Sequence, residues 1–511
     1  MGKLTIANLK KTIYYLKRNG LRNTINAAAE RLSETDAYQY VPFSGEEKMA
    51  LREQAGDLID AWSVSEETVP TFSILVPAYH TDPRFLKDLV ESVREQAYPL
   101  WELLILDASG DESVLEPLRE ICDATGTALL TGGNRVDDDS AVDVGSVRYV
   151  CLAENGGISE NTNAGIGYAQ GDYVGLLDHD DVLTPDALLE MAKAIRGVED
   201  AGGETEEPLV VYSDEDKWDG DKQYYEPNPK EDFNLDLLLS NNYVCHFLVM
   251  ERELFRKLRL RKEFDGAQDY DLMLRAAAEI MDQGLLPERA IRHVPEVLYH
   301  WRCHGGSTAE NPQSKLYAYE AGKRALQEFA NGQGWSATAE DLKHVGFYRL
   351  NYQKTENGED EGCPALRIRQ DLGAVGGKVL DEKGQTLAGG RMAEDGSVFY
   401  EGLKEGFSGP LHRAVLTQDA EAVDLRCICV AKEFWPLFEN VVGVPYRTRK
   451  VSARGDLDGK DAVASRIEIF DAGTLPEDAD VKALSLAFCK GLHGQGKRIL
   501  WDPELTASLK E

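Results

Sequence analysis

The sequence predicts an α/β protein built on a mostly parallel, Rossmann-like sheet with helices on both faces. Three observations lead there. Short, continuous apolar runs recur at residues 72–76, 101–106, 148–152 and 173–177, and helix-like segments separate them. Each run stops on turn or acidic residues instead of fading into an alternating pattern. Continuous apolar strands that alternate with helices are strands buried on both sides, which is the condition of a parallel sheet. In such sheets ligands bind beyond the carboxyl ends of the strands.

Residues 1–66 read as a helical extension with breaks at Asn19-Gly20 and Val41-Pro42. Between Met1 and Leu32 it carries Lys3, Lys10, Lys11, Lys17, Arg18, Arg22 and Arg31 against the single acid Glu30. A basic, amphipathic segment of this kind either lies against an anionic membrane surface or forms a helical pair packed on the domain that follows. The first strand, Phe72 to Val76, ends at Pro77, and a helix runs from Pro83 to about Gln96. The second, Trp101 to Leu106, stops at Asp107 to Gly110, and a helix follows through Cys122. The third, Arg148 to Leu152, leads through Asn155-Gly156-Gly157 into a helix ending near Ala169. The fourth, Tyr173 to Leu177, runs straight into Asp178-His179-Asp180-Asp181. Three strand ends, carrying Pro77-Ala78-Tyr79, Asp107 and the acidic cluster, therefore face one crevice.

Beyond residue 205 the rhythm changes. Leu209 to Tyr212 precedes Ser213-Asp214-Glu215-Asp216-Lys217, then come a loop from Tyr224 to Asn228, a short helix from Leu235 to Leu239 and an apolar run from Val244 to Met250. Helices start at Gln268 and at Ser314, the latter reaching about Ala330. Residues 331–334 and 356–362 look like exposed joints. The expected domains are the extension 1–66, a catalytic domain 71–335 and a smaller α/β domain 363–511. The last shows a loose echo: residues 427–435 parallel 245–255, and 498–505 parallel 292–298, as a degenerate repeat would.

The bulk properties bound the function. The chain has 511 residues, 42% of them hydrophobic and 28% charged, enough for more than one buried core. Its formal charge of −33 argues against general nucleic-acid binding. No apolar stretch approaches the ~18–20 residues needed to cross a bilayer, and the N-terminal residues lack the apolar core of a secretory signal. The eight cysteines form no CxxC pair, which suits free thiols in a reducing cytoplasm better than a disulfide or zinc framework. A cytoplasmic protein is expected, peripheral on the inner face of the membrane if the basic segment meets lipid.

In an extended segment alternate residues point the same way, so Asp178 and Asp180 present carboxylates on one side. Hard oxygen ligands of that kind suit Mg²⁺ or Mn²⁺, which leave positions open for substrate phosphates. Asp181 could instead open the next helix as a cap, with Thr184-Pro185 behind it.

These runs, taken in order, resemble the family 2 glycosyltransferases: Phe72 to Tyr79, Leu104 to Ser109, Asn155 to Ser159 with Asn161 to Gly165, and Gly171 to Asp181. The resemblance covers residues 71 to about 330. It implies a GT-A fold, a nucleotide-diphosphate sugar donor, a divalent metal and inversion at the anomeric carbon. Under it Pro77, Ala78 and Tyr79 cradle the nucleoside, Asp107 contacts base or ribose, and Asn155, Gly156 and Asn163 belong to the donor side. Asp178-His179-Asp180 is similar to the family's DxD motif, with Asp178 near ribose and metal and Asp180 the direct ligand. Ala108 stands where many members carry a second acid or Asn, so the nucleotide stays open.

Phe264 to Arg275 resembles the family's second acidic motif, which implies Asp269 as the general base that removes the acceptor's proton. Gln268 replaces the usual preceding acid, and Asp271 belongs to the acceptor or sugar pocket or caps the helix. Tyr299 to Thr308 resembles the loop that closes over the diphosphate, with Arg302 a phosphate contact and His304 a third metal ligand or a structural histidine. Asp214 and Asp216 either line the acceptor or sugar pocket or sit on a solvated loop, in a segment similar to bacterial cell-surface polysaccharide transferases. The C-terminal region has no counterpart of the DxD motif and reads as non-catalytic, a module for acceptor binding, dimerisation or docking in an assembly complex.

The expected activity is transfer of a hexosyl or deoxyhexosyl group to a growing cell-surface glycan or lipid-linked acceptor. Two alternatives remain: a non-catalytic glycosyltransferase-like scaffold of a polysaccharide assembly complex, and a sugar nucleotidyltransferase. The latter would need a glycine-rich, basic triphosphate loop after the first strand, and Pro77-Ala78-Tyr79-His80 is not one.

Overall fold

The computed structural model describes residues 6–33, 38–65, 68–131, 142–197, 207–304, 316–353, 363–453 and 465–509. Lys3, the Gly305-Gly306 turn and the joint at 356–362 lie outside these residues, as do the side chains of Lys10 and Lys11. The chain divides into two compact units that interleave along the sequence. One comprises Asp36–Phe233 and Tyr243–Ala325, the other Met1–Thr35, Asn234–Asn242 and Leu326–Glu511. The 1–66 segment, which the sequence groups as one extension, is thus shared between both.

The first unit holds a ten-stranded sheet. Its strands are β1 (Phe72–Ala78), β2 (Trp101–Asp107), β3 (Leu129–Thr131), β4 (Ser146–Cys151), β5 (Tyr173–Leu176), β6 (Val182–Leu183), β7 (Val210–Trp218), β8 (Tyr224–Asn228), β9 (Leu248–Glu251) and β10 (Ile291–Arg302). The order is β3-β4-β2-β1-β5-β9-β7-β10-β6, with β8 beside β7. From β3 to β5 the neighbours are parallel. β9 then runs antiparallel between β5 and β7, β10 is parallel to β7, and β6 is antiparallel to β10. Every residue of β2 and all but Pro77 of β1 are buried, which is why both strands read as unbroken apolar runs.

Helices start where the local chemistry directs. Asp82 accepts a hydrogen bond from the Arg84 amide at 2.9 Å, and Pro83 opens the helix Pro83–Arg94. That helix buries Leu86, Leu89, Val90 and Val93, one stripe at three- and four-residue spacing.

Register brings the strand ends together: Ala78 lies opposite Asp107, and Leu75 opposite Leu176. At the other end of the same strands a buried knot holds them. Glu102 accepts from the Ser73 hydroxyl at 2.6 Å and the Gln170 amide at 2.7 Å, while the Gly171 amide donates to the Ser73 hydroxyl at 2.8 Å. Burial pushes the Glu102 carboxyl above the usual range, so its proton is retained more readily there.

In the second unit the strand Leu372–Leu380 runs parallel to Arg498–Ser508 and antiparallel to Ile428–Val430. β7 has the same relations to β10 and β9. Helices Trp435–Val442 and Val481–His493 lie between the later two strands, as Arg252–Leu258 and Gln268–Asp282 lie between β9 and β10. The echo read from the sequence falls on these elements. The helix Ile6–Ser33 breaks at Gly20 (φ 76°) and packs within this unit. Arg18 and Asn19 donate to the carbonyls of Leu342 and Lys343, and Glu30 accepts from the amides of Ser408 and Gly409. Arg369, fully buried, is joined to Asp236 and Asp371, which ties the segment Asn234–Asn242 to this unit. Among the described residues no helix is long and apolar enough to cross a membrane.

A Cβ on Gly171 would lie 2.6 Å from the backbone of Phe72 and Ser73. Gly171→Ala is therefore expected to destabilise the protein by about 1–3 kcal/mol, seen as a lower urea midpoint, because β1 and the entry to β5 must move apart.

Candidate active site

At the carboxyl ends of β1 and β5 a cleft takes in Pro77, Asp178 and Asp269 of the residues the sequence singles out. Leu75, Pro77, Thr162, Leu176, Asp178, Cys245, His246 and Asp269 line one cleft. Ala78 and Asp107 are coupled by the hydrogen bond from the Ala108 amide to the Ala78 carbonyl at 3.0 Å. Tyr79 is half exposed, free to present its ring to a ligand.

Asp107 is buried. One of its oxygens accepts from the amide and hydroxyl of Ser109, the other from the Tyr149 hydroxyl at 2.7 Å. Oδ2, with the Tyr149 hydroxyl as its one hydrogen-bond donor among the described residues, keeps a lone pair for a further donor. Asn155 and Gly156 lie at the start of the helix Ile158–Gly165. Asn155 Oδ1 accepts from the Gly157 amide and from Asn161 Nδ2, and the Gly156 amide donates to Asn161 Oδ1. Asn163 departs from the donor-side expectation. It is buried, and its side-chain amide both donates to and accepts from the backbone of Leu260 at 2.8 Å. Its hydrogen-bonding capacity anchors the helix and leaves it out of the crevice.

The acidic cluster divides by role. Asp178, Asp180 and Asp181 bring carboxylate oxygens within 4.8 Å of one another. Asp181 is fully buried, accepting from the Arg302 amide at 2.7 Å and from the Tyr299 hydroxyl. Burial first, then Asp180 and Asp178, raises its pKa well above the ordinary value. It joins the turn to β10, and the helix Ala187–Arg196 starts without its help. Asp178 keeps 44% of its side chain accessible, yet the recessed surroundings and Asp180 raise its pKa against the opposing pull of His246. His304 Nε2 lies 2.9 Å from Asp180 Oδ2. Two hard carboxylates that repel each other, with an imidazole beside them, fit a divalent cation of the Mg²⁺ or Mn²⁺ kind.

Arg302 is committed elsewhere than a phosphate. It is buried, donates to the Asp180 carbonyl at 2.5 Å and to Asp88 at 2.9 Å, and lies 4.1 Å from the Trp218 ring. Asp214 and Asp216 depart from the pocket expectation in the same way. Asp214 accepts from the Lys230 amide and pairs with His293 at 2.9 Å, while Asp216, fully buried, pairs with His300 at 2.6 Å and accepts from Tyr38 at 2.7 Å. Asp271 is also withdrawn from the pocket: it is buried against Arg261 and Arg275 and secures the helix Gln268–Asp282. Asp269, two residues earlier and so on nearly the opposite side of the helix, opens on the cleft and accepts from the Cys245 thiol at 3.5 Å.

Sequence reasoning missed three groups that flank this cleft. Strand alternation turns Glu215 away from Asp214 and Asp216, and it meets His246 Nδ1 at 3.1 Å. Burial works against the Glu215 charge, but Lys230 at 3.6 Å and His246 hold its pKa down to about 2. Burial likewise opposes a charge on His246, while Cys245 and Glu215 raise its pKa well above the ordinary value. The His246 ring stacks on Tyr299 at 4.8 Å and brings Nε2 to 3.9 Å from Asp178. Burial pushes the Cys245 thiol up to about 12. The available signal was a polar Cys-His pair inside an otherwise apolar run.

Residues 73–259 match the family model described as glycosyl transferase family 2. The chain is 36% identical over 286 residues to the uncharacterized protein y4gI of Sinorhizobium fredii, covering 56% of this chain and 28% of that one. It is 32% identical over 285 residues to the O-antigen biosynthesis protein RfbC of Myxococcus xanthus, covering 55% and 20%. It is 26% identical over 279 residues to the putative glycosyltransferase EpsH of Bacillus subtilis, covering 51% and 70%. The chain thus spans less than a third of the first two relatives. Among solved structures, residues 1–349 of TarS from S. aureus align with a TM-score of 0.34 at 15% identity, covering 52% of this chain and 71% of that one. A mannosyltransferase from Pyrobaculum calidifontis with GDP-Man and Mn²⁺ aligns at 0.34 and 16%, covering 56% and 85%. The matched segment spans β1 to β9 of the mixed, mostly parallel sheet.

Two outcomes separate framework from chemistry here. Asp271→Ala leaves two guanidinium groups without their buried carboxylate and is expected to cost about 3 kcal/mol of stability in urea unfolding. Glu215, with its pKa about 2 against the ordinary 4.5, stabilises the fold above pH 4.5, and that contribution is lost as pH falls toward 2. Glu215→Gln should flatten the pH dependence of unfolding across that window.

Proposed function

We propose, on the premise that residues 73–259 belong to glycosyl transferase family 2, that the chain is an inverting, metal-dependent glycosyltransferase. In this reading it moves a hexosyl or deoxyhexosyl group from a nucleotide-diphosphate donor to a growing cell-surface glycan or lipid-linked acceptor. The supporting observation is the single cleft that contains both Asp178, at the tip of β5, and Asp269, at the start of the helix Gln268–Asp282. In this reading Asp178 serves the leaving diphosphate and Asp269 the acceptor, and their shared cleft supports it.

Asp180 and Asp178, with His304 beside Asp180, are the residues that would hold a divalent cation. When bound, such an ion supplies positive charge to a diphosphate leaving group. Asp269 takes the proton from the acceptor hydroxyl, whose oxygen then attacks the anomeric carbon from the side opposite the departing diphosphate. Pro77, Ala78 and Tyr79 flank the nucleoside, with Asn155 and Gly156 on the same side. Arg302 holds the loop of Asp180 rather than the phosphate itself. Lys230, Glu215 and His246 form a buried charged support beneath Asp178.

The second unit is read as non-catalytic, because among the described residues the carboxylate, cysteine and histidine groupings able to hold a metal lie in the first unit. Its strand arrangement corresponds to the acceptor-side half alone. Attachment to the inner membrane face belongs to this reading too, through the exposed Lys17 and Arg22 of the N-terminal helix.

A screen of nucleotide sugars with Mn²⁺, following release of the nucleoside diphosphate, tests the proposal. Asp180→Asn and Asp269→Asn are each expected to lower turnover by about 10²- to 10⁴-fold, and a chelator to abolish it reversibly. Unchanged turnover in either variant would sink the mechanism. Failure of every donor to bind in the presence of metal would instead favour the scaffold reading.

A further inference from the structure

We propose that a second cleft in the same unit, about 240 Å³ in volume, is a carbohydrate subsite that takes one neutral pyranose unit of a glycan. It lies between the helix Pro83–Arg94 and the residues of β6, β8 and β10 behind the acidic turn. At the ~30 Å³ a water molecule occupies in the liquid, it has room for about eight waters or one sugar ring with its hydration.

The walls have the two chemistries a pyranose needs. One side is aromatic: Tyr40, Phe43, Trp218 and Tyr224 line it, with Tyr40 and Tyr224 each packed against His300 at 4.4 and 4.5 Å. Such rings offer apolar surface to the C–H face of a sugar. The other side carries the carboxylates of Asp88, Glu91 and Glu95, which accept hydrogen bonds from hydroxyls. His300 is almost wholly buried in this wall and gives Nδ1 to Asp216, and the described residues provide no hydrogen bond to its Nε2. A histidine held that way leaves Nε2 as a hydrogen-bonding group for a hydroxyl, which can both donate and accept.

Charge narrows the ligand. Lys48 is paired with Glu95 at 2.5 Å and Arg302 with Asp88, so no cation on the wall is left uncommitted to meet an acidic ligand. The carboxylates would repel a phosphate, nucleotide or uronic acid but not a neutral sugar, whose hydroxyls they accept from. The choice of sugar among neutral hydroxyl-rich ligands rests on the glycosyltransferase reading. Arg302 touches both this wall, through Asp88 and Trp218, and the loop of Asp180, so a sugar held here lies next to the donor machinery without sharing its cleft.

Saturation-transfer NMR on the full chain, without nucleotide or metal, tests this with methyl glycosides of glucose, galactose, mannose, rhamnose and glucuronic acid. At about 10 mM, where millimolar dissociation constants register, one or more neutral glycosides should bind and the glucuronide should not. Glu91→Ala and Tyr224→Ala should each weaken binding by about tenfold, the loss of one good contact. Asp180→Asn should leave it unchanged. Glu91 is a solvent-side residue, so its variant remains informative if Tyr224→Ala fails to fold. Binding of no neutral glycoside, equal binding of the glucuronide, or insensitivity to Glu91→Ala overturns the subsite. Loss in Asp180→Asn overturns it too, by locating the sugar in the donor cleft. The diphosphate-release screen reads the donor site separately, so either proposal can fail alone.

Discussion

Everything at the mouth of the sheet depends on the burial of one carboxylate. Asp181 has no contact with solvent, and its two oxygens take hydrogen bonds from the Arg302 amide and the Tyr299 hydroxyl. A buried acid left without partners costs several kcal/mol, so the turn from 178 to 181 is held to β10 or the fold is compromised. With Asp181 pointed inward, Asp178 and Asp180 are displaced toward the crevice, where acids would otherwise drift into water. The cluster is therefore one anchor and two working groups.

The same division recurs nearby. In β7 the outer acids of Asp214-Glu215-Asp216 pair with His293 and His300, while the middle one meets His246. At the start of the helix Gln268–Asp282, Asp271 is locked between two arginines and Asp269 faces the cleft. In each place neighbouring acids have opposite fates, set by strand or helix periodicity. Residue type alone cannot separate a buried anchor from a group that faces the crevice.

This explains how far the sequence was legible. The first four long strands and the crevice they share were visible because fully buried parallel strands leave an apolar run and a polar stop. The three-residue strand Leu129–Thr131 was too short to leave one. Asp178 and Asp180 drew attention by their position after a strand, and Asp269 through the resemblance of residues 264–275 to the family's second acidic motif. The anchoring of Asn163, Asp214, Asp216 and Arg302 was not legible, since their partners lie far along the chain: Asn163 meets Leu260, and Arg302 meets Asp88. Asp271 was misjudged for another reason, because two nearby arginines, Arg261 and Arg275, take its carboxylate. Glu215 was hidden for a related reason, because alternation had to be applied within a run of like residues. The tertiary partner of His246 is invisible in any local window.

The interleaving of the two units has a consequence for synthesis. The helix Ile6–Ser33 leaves the ribosome long before its contacts at Leu342, Lys343, Ser408 and Gly409, which emerge more than half of this chain later. The segment Asn234–Asn242 waits in the same way for Arg369. The unit with the crevice can gather its strands while translation continues, but the other must close around pieces made long before. A nascent chain halted near residue 330 would therefore carry an amphipathic helix and a buried-acid segment with nothing to receive them, which makes the intermediate a natural client for chaperones.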